Sequence, residues 1–195
     1  MMKRLRDEID SCWDGKSPLQ AGTLGKSPVQ IICKHTDCEA PQNAPYLNGC
    51  IEESLRLWPP APNSMQRRTP PEGWLVNGKV VPGNTQLGVN TMGVQRNPAN
   101  FSHPDEFMPE RWIDTERPAD FNHDVRAFIP FTIGQFSCLG KNLAYQELRL
   151  FMGKVVRNFD FSFAPDFDPS TFDNNILYKG TFLIPELSVV FKARE

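Results

Sequence analysis

The chain of 195 residues has little of what marks several large protein classes. Cysteine is scarce and odd in number, five in all, at positions 12, 33, 38, 50 and 138. An irregular, odd set argues against a disulfide framework and for a reducing compartment. Charge of one sign is also lacking: the net charge is −2 with 23% charged residues. Such a balance supplies no field for nucleic acid or an acidic surface, so no nucleic-acid partner is expected. No run of about 18 apolar residues occurs to span a bilayer. "MMKRLRDEID" carries no apolar stretch behind its charges, so it does not read as a signal peptide. No segment repeats with a period of about 20–50 residues.

Proline is what the chain has in excess, 18 of 195, against a usual share of about 5%. Most of it falls between Trp58 and Pro130, which predicts irregular structure with short strands there. Ahead of that region, residues 1–13 read as the end of a helix, with Leu5, Ile9, Cys12 and Trp13 on one face. A start without a cap suggests that further sequence belongs upstream. Residues 14–28 are loop by their Gly, Ser and Pro content. Residues 46–58 form a helix stopped by Pro59 and Pro60. "WLVNGKVV" is a hairpin around Asn77-Gly78, residues 85–90 are a further strand, and residues 105–113 are a brief helical turn broken at Pro109. From 139 to 158 the apolar positions Leu143, Ala144, Leu148, Phe151, Met152, Val155 and Val156 follow a helical period. "DFSF", "NILYKGTFLI" and "LSVVFKA" in the tail alternate like strands of a small sheet.

The stretch "FTIGQFSCLG" places Cys138 at the head of that last helix. Free backbone N–H groups and the helix dipole favour a thiolate there. Gly134 and Gly140 let the backbone approach a flat object, and Phe131 can lie over the sulfur. A shielded thiolate with one open side is what a haem iron requires as axial ligand. The plainer reading of Cys138 is a buried structural cysteine. Glu53 and Arg56, three apart in "EESLR", can pair on one helix face, which taken alone is a solvated surface pair. "PERW" adds a second arginine, Arg111, ahead of the cysteine loop.

In the order E-x-x-R, P-E-R-W, F-x-x-G-x-x-x-C-x-G, these pieces resemble the cytochrome P450 family, and its fungal members in particular. "APYLNGCIEESLRLWPPAP", "FMPERW" and "FTIGQFSCLGKNLAY" carry the resemblance, which covers about residues 1–25 and 44–195. It implies an α+β fold: one partial domain over residues 1–195, the C-terminal portion of the P450 fold, mostly helical with small β-sheets and lacking the N-terminal and distal-helix part. It implies haem b (iron protoporphyrin IX) as cofactor, with Cys138 as the axial ligand of the iron and Phe131, Gly134 and Gly140 forming its loop. Glu53, Arg56 and Arg111 would be a buried structural triad, Arg67 would meet a haem propionate, and Ala61 to Ser64 would line the substrate side. No catalytic residue is implied within this chain.

The parent reaction implied is a monooxygenation, one oxygen atom of dioxygen entering a small apolar organic substrate. An NADPH-dependent reductase would supply the electrons, and the parent would sit at the cytoplasmic face of the endoplasmic reticulum membrane. This chain shows no anchor of its own and is expected to be inactive alone. Other readings are a truncated gene product that holds no haem, and a haem-thiolate isomerase or peroxygenase. Departures from the family pattern are Phe136, where a basic residue is common, and Gln95-Arg96, where His-Arg is usual. The family's acid–threonine pair is also missing, since Thr23 in "QAGTLG" has no acid before it.

Residues 25–43 interrupt the family pattern. They hold Cys33, His35 and Cys38, three possible zinc ligands where closed geometry needs four, with Cys50 the nearest other; a zinc-binding module would rest on this insert alone. The insert reads better as a short retained intron, because Gly25-Lys26-Ser27 can be encoded by a splice-donor sequence (GGTAAGT) and Gln42 by a terminal CAG. It is expected to be a disordered loop without function.

Overall fold

Tyr46, Leu47, Ile51 and Leu55 recur at helical spacing, and in the computed structural model they form the buried side of α2 (Pro45–Leu57). The structure describes residues 1–12, 44–63, 66–172, 175–178 and 181–194. The insert at 25–43, Trp13, Thr23 and Ser64 lie outside the described residues.

Pro45 opens α2 where its missing N–H costs nothing. No residue of α2's own start caps it. Its orphan donors go instead to Glu8 of α1 (Met2–Cys12). The Tyr46 and Leu47 N–H groups each donate to a Glu8 carboxylate oxygen at 2.8 Å, which also places an anion at the positive end of the helix. At the other end Arg96 donates to the Leu57 carbonyl at 2.8 Å and lies over Trp58, so both termini are closed from outside.

The proline-rich middle holds only short pieces. β1 (Arg67–Arg68) pairs antiparallel with β4 (Gln86–Leu87), and β2 (Trp74–Val76) with β3 (Lys79–Val81). The β2–β3 turn is Asn77-Gly78, both residues at positive φ (46° and 75°), as that pair predicts. The strand expected over 85–90 shrinks to Gln86–Leu87 plus an isolated bridge between Asn90 and Asn63. Polar side chains compete for the rest: Thr69 Oγ1 takes the Thr85 N–H, and Asn90 caps α3 (Thr91–Gln95) by accepting from Gly93 N–H. The turn expected over 105–113 is a 3₁₀ helix, Pro109–Trp112.

α4 (Lys141–Asn158) starts two residues later than its apolar pattern suggested and runs directly into β5 (Phe159–Phe163), which pairs antiparallel with β8 (Val189–Ala193). β6 (Leu177–Tyr178) and β7 (Phe182–Leu183) form a further small pair. The stripe of α4 that meets the core is Tyr145, Leu148, Met152 and Val156. Phe151, expected on that face, lies on its flank and is 65% exposed. α1, α2 and α4 thus share one core, built around Leu5, Ile9, Ala44, Leu47, Ile51, Leu55, Tyr145 and Val156. The outcome is helices with small two-stranded sheets, the mixture that the resemblance implied.

Candidate functional site

The face of α2 turned away from α1 carries Glu53 and Arg56, both with side chains 0% exposed. The solvated-pair reading of "EESLR" is therefore overturned. Arg56 grips Glu53 with two parallel bonds, Nε to Oε2 at 2.8 Å and Nη2 to Oε1 at 2.9 Å, the geometry that guanidinium favours. Arg111 Nε donates to Oε1 at 2.9 Å across 58 residues of chain. Two further donors complete the carboxylate, the Met108 N–H and the Trp112 Nε1–H, each at 2.9 Å. Burial alone would raise the Glu53 pKa, but the bonds from Arg56, Met108 and Trp112 overcome it and hold it below the usual carboxylate value.

The remaining guanidinium donors are also spoken for. Arg56 donates to the carbonyls of Gln95, Pro104 and Glu106, and Arg111 to those of Ser102 and His103. Two cations on one buried carboxylate are tolerable only because the surrounding backbone is turned carbonyl-inward. The triad thus locks the irregular 95–112 segment onto α2. Gly49 lets that segment come close: a Cβ there would meet the Pro109 carbonyl oxygen at 2.6 Å.

Gln95 extends the lock toward the cysteine loop. Fully buried, it donates through Nε2 to the Leu55 and Arg56 carbonyls and accepts the Ile129 N–H at 2.8 Å. Two residues later the loop begins. Phe131 leans on the core, its ring 5.3 Å from that of Tyr145, and its carbonyl accepts the Cys138 N–H at 2.9 Å. Between them Thr132 and Gly134 take positive φ (57° and 77°), Thr132 Oγ1 donates to the Phe136 carbonyl at 2.7 Å, and Ser137 N–H donates to that of Gly134. The loop is therefore a closed backbone ring that ends at the head of α4.

Cys138 is a free, exposed thiol, which overturns the reading of a buried structural cysteine. The residues suit a haem iron. A Cβ added at Gly140 would meet only the Cys138 sulfur, at 3.7 Å, and one at Gly134 would meet nothing within 4 Å. Ile133, Phe136 and Leu139 expose large apolar side chains around the thiol. A soft sulfur donor with open, apolar surroundings matches haem ligation better than it matches a hydrated ion. Arg67 of β1 reaches this loop, its guanidinium 4.5 Å from the centre of the Phe136 ring, so Phe136 forms a cation–π contact where a basic residue is common. Arg96 is turned the other way, to the end of α2 and to Asp105.

The structure brings Phe131, Gly134, Cys138 and Gly140 into one loop and Glu53, Arg56 and Arg111 into one ion cluster. It adds Trp112 and Tyr145, which spacing alone did not single out, and makes a buried clamp of Gln95, marked in the sequence only as a departure from the family pattern. Of the two additions, Trp112 left a signal, as an indole donor directly after the arginine of "PERW".

A sequence model described as Cytochrome P450 matches residues 1–192. The chain belongs to the cytochrome P450 family. Among similar curated proteins is a P450 monooxygenase of Aspergillus oryzae (aclL), 42% identical over 161 residues, which are 82% of this chain and 29% of that protein. The fusicoccadiene 8-ol C-16-hydroxylase of Phomopsis amygdali is 38% identical over 154 residues, 77% of this chain and 28% of its own length. The P450 monooxygenase nodW of Hypoxylon pulicicidum is 35% identical over 196 aligned positions, 97% of this chain and 32% of its own. The chain spans about a third or less of the P450 relatives it matches.

Proposed function

We propose that this chain is the iron-ligating part of a haem-thiolate monooxygenase acting on a small apolar organic substrate. The observation that carries the reading is the exposed thiol of Cys138, presented by a loop whose leading flank is braced by the buried side chains of Gln95 and Tyr145. Cys138 would hold the iron of haem b, Gly134 and Gly140 would let the macrocycle approach the backbone, and Arg67 would meet a propionate. Bound there, haem supplies the oxygen-activating chemistry, favoured by electron donation from the thiolate. The residues of this chain ligate, orient and exclude water on one side of it. The relatives named as monooxygenases and as a hydroxylase support insertion of one oxygen atom from dioxygen; an NADPH-dependent reductase as electron donor is what the family resemblance implies.

No described helix is long and apolar enough to cross a membrane; the family resemblance favours a parent at the cytoplasmic face of the endoplasmic reticulum membrane. The chain spans about a third or less of the relatives it matches, and we expect it to oxidise nothing alone. The test uses the longest gene product that contains the chain, loaded with haem. Cys138→Ala or Cys138→His abolishes the thiolate-type ferrous–carbon monoxide spectrum that the unaltered protein shows. Retention of that spectrum by Cys138→Ala overturns the assignment.

A further inference from the structure

Glu52 and Glu53 are adjacent on α2, and a helical step of roughly 100° turns their carboxylates apart. Glu53 faces the 95–112 segment, as described. Glu52 faces α4, where the Tyr145 hydroxyl donates to its Oε2 at 2.7 Å across 93 residues of chain. Tyr145 is buried, and its ring carries the contact with Phe131. One turn along α4, Arg149 lies over the same ring, 5.3 Å from its centre, and donates to Asn48 of α2 at 2.7 Å. A continuous set of contacts therefore joins α2, the Tyr145 ring, the Phe131 ring and the Phe131 carbonyl that takes the Cys138 N–H. The ion triad uses none of these groups.

We infer that Tyr145, anchored by Glu52, is a positioning residue for Cys138. By pinning the Phe131 ring it fixes the carbonyl that orients the Cys138 backbone, and so sets where the sulfur stands relative to an iron in front of it. The inference rests on the reading of Cys138 as the iron ligand. A phenol is suited to this place because its ring fills the core while its hydroxyl needs a buried acceptor. Phenylalanine keeps the ring and loses the anchor, leaving the Glu52 carboxylate short of a donor.

The experiment compares unaltered, Tyr145→Phe, Glu52→Gln and doubly substituted forms of the longest haem-loaded gene product. It reads the rate at which the thiolate-type ferrous–carbon monoxide spectrum decays to the neutral-thiol type, the ferric electron paramagnetic resonance line shape, and far-ultraviolet circular dichroism. Tyr145→Phe is expected to speed the decay about tenfold, the scale of one hydrogen bond to a charged acceptor, and to broaden the ferric signal while the dichroism stays unchanged. Glu52→Gln still offers an oxygen to Tyr145 and is expected to change the decay less. The double variant decays no faster than Tyr145→Phe, because both substitutions break one contact. If the unaltered protein shows no thiolate-type spectrum, the haem reading fails and this inference with it. If it shows one and Tyr145→Phe decays at the unaltered rate, or loses dichroism while its surviving spectrum is unaltered, the positioning role alone is overturned.

Discussion

His123 stands edge-on to Trp112 and Phe101, with ring centres 4.7 and 5.6 Å away. Its Nδ1 is buried without a hydrogen-bond partner among the described residues. Burial, helped by the nearby cations Arg117 and Arg111 and opposed by Glu53 and Asp114, lowers its pKa from 6.5 to about 4. The folded chain therefore holds the imidazole neutral while the unfolded chain takes up a proton first as pH falls. Its contribution is full above 6.5 and is lost between 6.5 and about 4. His123→Phe should flatten the dependence of the urea midpoint on pH across that window. Glu53 acts lower: its folded pKa lies beneath 4.5, so its contribution is present above 4.5 and lost as pH falls through the folded value, and the variant keeps that loss. At this scale the sequence was legible where partners are close or sit in short motifs, as for Glu53, Arg56 and Arg111. The clamp roles of Gln95 and Tyr145 were not, because their partners lie 34 to 93 residues away and no local pattern distinguishes a clamp from an ordinary polar residue.

Among the elements, α2 is the helix that meets α1, α3, α4 and the Pro109–Trp112 turn. Gly49→Ala tests that approach directly. A methyl 2.6 Å from the Pro109 carbonyl oxygen forces the turn outward and stretches the Arg111–Glu53 bond. The expected cost is about 1–3 kcal/mol, read as a lower urea midpoint, with the far-ultraviolet helix signal preserved below the transition. The existence of α1 and α4 was legible from periodicity, since each has one buried face, and that of α2 from the prolines that stop it. Boundaries were less so. Asn90 became a helix cap instead of strand, and Phe151 belongs by period to a stripe that tertiary packing narrows to Tyr145, Leu148, Met152 and Val156.

At the scale of the whole molecule, large apolar side chains are exposed on the cysteine loop (Ile133, Phe136), at Leu139 and at Phe151. Exposure of this kind promotes self-association. The 195-residue chain should accordingly scatter light as oligomers at micromolar concentration and brighten an apolar dye. Phe151→Glu should reduce both without altering circular dichroism. Family membership was legible in the order of three motifs, whereas the Glu52–Tyr145 contact on another side of the same helix was not. That arrangement has a consequence for the ribosome. Glu53 emerges 58 residues before Arg111, and Glu52 emerges 93 before Tyr145. At roughly 5–20 residues per second these carboxylates wait roughly 3–19 s for their distant partners. Arg56 follows Glu53 by three residues, so during synthesis it alone shields the carboxylate that the finished protein seals away from water.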